Sequence, residues 1–222
     1  MGLFKKLKRF GGTPPQKLME SGRLARGVIL GIETTPLSSG PDGSPIPICK
    51  FTVEVTLDNT PSYEVECRQA VSYQAIGRMI PGQTVVAVRV DPNDPNEIAL
   101  DLNTPPPTVT MQRQDGGAAE VLARGVPVRA VIVATQPMWL RNPEGLDIHA
   151  FQLSVMQDGR APRETRVANP VPPEARSLLV VGANLPAKVL PEEPDGVAID
   201  WSAALTELAQ RVRPDAGLQH LL

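Results

Sequence analysis

An alternating stretch sets the character of the chain. Cys49, Phe51, Val53, Val55 and Leu57 fall on one phase, and Lys50, Thr52, Glu54 and Thr56 on the other. That is the period-two pattern of a strand with one buried face. Asp58-Asn-Thr-Pro61 turns it, and Tyr63, Val65 and Cys67 return on the inner phase against Glu64, Glu66 and Arg68, giving a hairpin with one wet face. Upstream, Arg26 to Ile32 carries almost no polar phase, as expected of a strand covered on both sides. A short helix precedes it, Thr13 to Gly22, with prolines at its start and glycine past its end. Downstream, Ser72 can cap a helical turn. Val85 to Asp101 then reads as two short strands about a turn held by Pro92 and Pro95.

The whole pattern is spoken again about a hundred residues later, a domain's length rather than a solenoid unit. Gly22, Arg26, Val28 and Ile29 match Gly125, Arg129, Val131 and Ile132. Phe51 matches Phe151, Val71 matches Val171, Pro92 and Pro95 match Pro191 and Pro194, and Asp101 matches Asp200. The division that follows is a basic amphipathic segment over 1–12, a first barrel repeat over 13–102 and a proline- and glycine-rich linker over 103–117. A second barrel repeat follows over 118–200, then a C-terminal helix and tail over 201–222. Five short strands and a helical turn in so few residues predict a mainly β chain with two tandem, small, five-stranded, partly closed barrels of the OB/SH3-like kind. An open antiparallel sheet backed by helix is the competing architecture. Long loops are expected at 34–47 and 136–147, both rich in Pro, Gly, Ser and Asn. Pro186 is expected at an edge or bulge of its strand.

Charge changes the picture at one end only. Lys5, Lys6, Lys8 and Arg9 stand without an acid beside them; with those four set aside, 18 basic residues face 24 acidic ones, a balance of −6. Leu3, Phe4, Leu7 and Phe10 lie between those cations at roughly helical spacing. The segment reads either as an interfacial helix on an anionic membrane surface, with all eight residues in contact, or as a frayed start that tolerates lysine. There is no secretory signal and no run of eighteen apolar residues, so the expected location is cytoplasmic, with peripheral attachment to the inner membrane face as the extension. Cys49 and Cys67 are read as reduced and buried, since two cysteines make no disulfide framework.

Candidate contact residues come from two places. Met138, Trp139, Leu140 and Arg141 sit in the second long loop, and read as a lid on their own barrel or as a partner-contact patch. Trp201, Leu205, Leu208 and Val212 form an apolar stripe on a helix that Asp200 or Ser202 can cap, and read as packing on the second barrel or as a self-association face. His149 and His220 are too far apart, and too far from the cysteines, to make a metal cluster, and His149 is read as a surface or strand-edge residue. No phosphate loop, dinucleotide fingerprint or nucleophile elbow opens a helix. The stretch Asp91 to Asn96 lacks the glycine and closing glutamate of a calcium loop. Eight aromatics in an acidic body argue against nucleic acid, which needs aromatic platforms in a positive groove. No catalytic, cofactor-binding or metal-binding residues are assigned.

The strings Gly22 to Ile32, the Phe51 strand, and Val88-Arg-Val-Asp-Pro-Asn-Asp-Pro95 resemble a family of uncharacterised bacterial small β-barrel proteins that often carry the module in tandem. The resemblance covers most of residues 18–200 and implies a fold, not a chemistry. The expected function is a non-enzymatic scaffold, adaptor or protein-interaction module, with a protein partner or self-association, held at the inner membrane surface by the basic N-terminus. The alternative is a small-ligand-binding protein or enzyme with a pocket at a barrel mouth or between the repeats.

Overall fold

The structure is a computed structural model that describes residues 16–39, 45–112, 117–157 and 159–212. It separates into two compact units that meet in the chain at Met111 and Gln112. Each unit is a nearly closed five-stranded antiparallel barrel, and strand makes up 55% of the chain, so the protein is mainly β.

In the first unit α1 (Gln16–Ser21) precedes β1 (Arg23–Ser39), β2 (Ile46–Thr56) and β3 (Tyr63–Ala70). After the helical turn α2 (Tyr73–Ile76) come β4 (Val85–Asp91), β5 (Asp94–Asp101) and the two-residue β6 (Val109–Thr110). The strand order is β3-β2-β1-β4-β5. Phe51 pairs with Cys67 and Val53 with Val65 across β2 and β3, so the phase read from the alternation points into the barrel. Phe51, Val53 and Val55 are fully buried there with Ile29, Val88 and Leu100. Burying each such side chain contributes about 1.5–3 kcal/mol, which is what offsets the ordering of so long a ladder. Ser72 caps α2 as expected, its hydroxyl accepting from the Ala75 amide.

The second unit repeats the plan. α3 (Ala118–Arg124) leads into β7 (Val126–Arg141), β8 (Asp147–Met156) and β9 (Arg163–Val171). A 3-10 turn over Pro173–Leu178 leads to β10 (Asn184–Leu190) and β11 (Glu193–Ile199), and α4 (Trp201–Val212) closes the described chain. The order is β11-β10-β7-β8-β9, and Phe151, Leu153 and Val155 take the places of Phe51, Val53 and Val55. Asp200 Oδ1 accepts from the Ala203 amide at the start of α4. Pro186 lies inside β10 opposite Arg129. Its carbonyl accepts from the Asp200 amide, just beyond the last β10–β11 pair. A residue's N and C=O share one side of a strand, so the missing N–H falls where the β11 ladder has run out.

Among the described residues, most of the two expected long loops is strand. β1 continues to Ser39 and β7 to Arg141, each paired with the next strand along its distal half. The sequence misled because Pro36 and Pro137 look like breakers. The register of β1 shifts between Thr34 and Ser38, and that of β7 between Pro137 and Leu140. These bulges carry the extra residues without ending the ladder. The second connection shrinks to a turn at Asn142–Leu146, in which Asn142 Oδ1 accepts from the Leu146 amide.

What closes each barrel is side-chain chemistry across the gap between its third and fifth strands. Gln69 Nε2 donates to the Leu100 carbonyl at 2.8 Å, and the Leu100 amide donates to Gln69 Oε1 at 2.9 Å. In the second unit Asn169 Nδ2 donates to the Val197 carbonyl at 3.0 Å, and Ile199 N–H donates to Asn169 Oδ1 at 3.1 Å. A buried amide thus stands in for a missing rung of backbone in both copies.

Candidate functional site

The two barrels differ at one end, reached by the distal halves of β1 and β7. In the second barrel Thr135 faces Phe151 across the ladder, and His149 faces Pro137 on one side and Asn169 on the other. Phe151 is buried in the core, so Thr135, His149 and Asp147 lie on the inner phase, running outward to the barrel mouth. The His149 ring sits 6.2 Å from that of Phe151. Sequence reading had placed His149 on the surface or a strand edge. It is half-buried on the inner phase, because the loop expected before it is instead a continuation of the barrel wall.

The mouth is strongly polar. Arg141 Nε donates to Asp147 Oδ1 at 2.9 Å, and Arg176, on the 3-10 turn, donates to Asp147 Oδ2 at 2.6 Å. The hydrogen bond from Arg141 holds the Asp147 carboxyl below its ordinary range, with the charge of both arginines adding to it against partial burial. Burial lowers the His149 pKa, Asp147 pulls it back up and Arg176 pushes it down again. Inside this cluster Thr135 Oγ1 and His149 Nδ1 are buried with no hydrogen-bond partner. Their neighbours are already engaged: Asp147 serves the two arginines, and Asn169 bonds to β11 through both ends of its amide.

The first barrel shows that the fold does not require this. By register its counterparts of Thr135, His149 and Asp147 are Ile32, Cys49 and Pro47. Ile76 follows the buried-face Ala75 of α2 as Arg176 follows the buried Ala175. The same end is apolar in one copy and polar in the other.

Beside the mouth lie the residues singled out from the sequence. Trp139 occupies the β7 bulge with φ at +58° and remains 37% exposed. A bulky residue in that region costs on the order of 1–3 kcal/mol, which the paired strand on either side of it must sustain. Met138 is half-buried, Leu140 is buried and Arg141 is exposed. The second cluster is not gathered here. Trp201 is buried in the core of the second unit, 6.0 Å from Phe151, and its Nε1 donates to the Pro170 carbonyl at 2.8 Å. Leu205 packs against the same core, Leu208 is exposed and Val212 ends α4. Arg129 adds an ion pair to Glu207 at 2.8 Å that ties the helix to β7. Leu3, Phe4, Lys5, Lys6, Leu7, Lys8, Arg9 and Phe10 lie outside the described residues.

Other chemistry is sparse. Burial pushes the Cys67 thiol up to about 12 and raises that of Cys49, so both are poor nucleophiles at neutral pH. Among the described residues no group of three or more His, Cys, Asp or Glu side chains could hold a metal ion, and no helix is long and apolar enough to cross a membrane. A groove of about 150 Å³ lies between α1 and the β4–β5 turn, and a wider, more open one of about 490 Å³ lies against Thr52, Glu64 and Glu66. No family model, no curated protein and no solved structure matches the chain.

Proposed function

We propose that the chain is a non-catalytic interaction scaffold whose partner-binding end is the mouth of the second barrel, with its basic N-terminal segment serving attachment to an anionic membrane surface. The observation that carries this reading is the filled interior. Phe51 and Phe151, with their flanking valines and leucines, occupy the space in which a barrel of this size would hold a ligand. Binding then belongs to surfaces. The mouth of the second barrel offers residue types favoured at interaction hot spots: Trp139, exposed on β7, and Arg141 two residues further along the same strand. The low-pKa Asp147 is committed to ion pairs and unsuited to proton transfer, which favours binding over catalysis at this end.

The test is a photo-crosslinking amino acid introduced at position 139 of the full-length protein in its own cells, with position 54 on the outer face of β2 as control. Discrete adducts at 139 that are absent at 54 are expected. Equal labelling at both positions, or none at 139, overturns the assignment of this end as the contact surface.

A further inference from the structure

The polar mouth holds more information than its position. Two buried hydrogen-bonding atoms without partners, Thr135 Oγ1 and His149 Nδ1, lie diagonally across β7 and β8 on one face. Each costs on the order of 1–3 kcal/mol if left unmade, and the first barrel builds the same end from Ile32 and Cys49 without that cost. Such an expense without a structural return marks a site made for something that enters it.

The kind of group follows from what is left to bond. Threonine hydroxyl donates, and imidazole Nδ1 donates in one neutral tautomer and in the cation. The Arg141 and Arg176 side chains are half or more exposed, and each has N–H groups beyond those used on Asp147. Two guanidinium groups against one carboxylate leave this cluster with a charge of +1. A cation would be repelled by that excess positive charge, and a purely apolar group would leave both orphans unsatisfied. A planar anion satisfies both donors and matches the guanidinium fork.

We infer that the mouth of the second barrel binds a carboxylate, held by Thr135 Oγ1, His149 Nδ1 and the Arg176 guanidinium. The inference deepens the interaction-scaffold reading by naming the group the site receives. Two sources carry that chemistry, a small free carboxylate and the C-terminal end of a peptide chain. Either would stabilise the imidazolium, so binding raises the His149 pKa.

The test is an imidazole NMR titration of the full-length protein, with His149 distinguished from His220 by a His220→Gln variant. Acetate, trialanine with a free C-terminus and trialanine amide are the probes. Acetate and free trialanine are expected to shift the His149 resonance saturably and raise its pKa, while the amide leaves it unchanged. Tighter binding of trialanine than of acetate assigns the site to a peptide end; equal binding assigns it to a small carboxylate. Thr135→Val and Arg176→Gln should each weaken binding about tenfold or more, the size of one charge-assisted hydrogen bond. Neither disturbs the fold, since the first barrel carries isoleucine at both positions, and the melting curves check this. No saturable shift with either acid, equal response to the amide, or undiminished binding in both variants overturns the proposal. A titrating site with no adducts at position 139 keeps the carboxylate site and removes the scaffold reading; adducts without a titrating site do the reverse.

Discussion

At the scale of single residues, the duplication supplies its own controls. Gly27 faces into the first barrel, where an added Cβ would lie 2.4 Å from Val88 Cγ2 and 3.0 Å from Val53 Cγ1. The register places Ala130 and Ala187 at the corresponding positions of the second barrel. One copy thus solves the contact as glycine against valine and the other as alanine against alanine, a pair smaller by one methylene. Gly27→Ala should therefore cost about 1–3 kcal/mol through overpacking, and adding Val88→Ala should recover much of it. A double-mutant cycle by urea denaturation checks this, with additive losses as the contrary result. His149 gives a second prediction at this scale. Burial lowers its folded pKa below the ordinary value of 6.5, so the unfolded chain binds more protons in the interval between the two. The stability that neutral His149 contributes is complete above about pH 6.5 and is lost as the pH falls through the folded value. His149→Leu should flatten that part of the stability profile, measured as the difference between variant and native curves from pH 7.5 to 5. An unchanged slope would place the imidazole in solvent. The histidine shows why the site was only partly legible: a lone His after Asp147 carries no periodic signal, and its burial depends on a strand that the proline content had hidden.

At the scale of elements, alternation was the reliable guide and proline the unreliable one. Phe51, Val53 and Val55 face inward as their phase requires, because a slip of one residue would expose the whole set. The distal halves of β1 and β7 were read as loops because propensity registers Pro36 and Pro137 but not the bulges that accommodate them. Partial closure was legible in the strand count, but the single amide that completes each barrel was not, since periodicity does not weigh one buried Gln69 or Asn169. Gln69 and Asn169 differ by one methylene, and they reach differently: Gln69 takes both backbone groups of Leu100, whereas Asn169 takes the carbonyl of Val197 and the amide of Ile199. Tyr63 and Thr165 extend the same seams, their hydroxyls donating to the carbonyls of Pro95 and Asp195. Gln69→Leu keeps the bulk and removes the pairing, stranding a buried amide and a buried carbonyl at about 1–3 kcal/mol each. The first barrel should lose on the order of a few kcal/mol, and hydrogen exchange at the Leu100 amide should accelerate well before that of Val53. Simultaneous loss of protection at both would show that the seam has no stability of its own to lose.

At the scale of the whole molecule, each unit has its own core, its own seam and its own capping elements, and the asymmetry between them is one of charge and polarity. The polar mouth belongs to the second unit, and the basic segment precedes the first. Four cations with no acid among them precede a body with a balance of −6, a separation that an ordinary solvated surface does not need, because it gains more from mixing both signs. Each cation near an anionic leaflet contributes about 1 kcal/mol, and ordering a ten-residue helix consumes part of that total. A single chain should therefore bind weakly and with marked dependence on salt, since surface attraction decays over about 8 Å at physiological ionic strength. Sedimentation with vesicles containing anionic lipid is expected to recover the full-length protein at low salt, to lose it as salt rises, and to lose it altogether when residues 1–12 are removed. Neutral vesicles should recover little of either form. Binding that survives the truncation, or that ignores the charge of the lipid, would move membrane attachment away from Lys5, Lys6, Lys8 and Arg9 and leave those cations as a solvated tail.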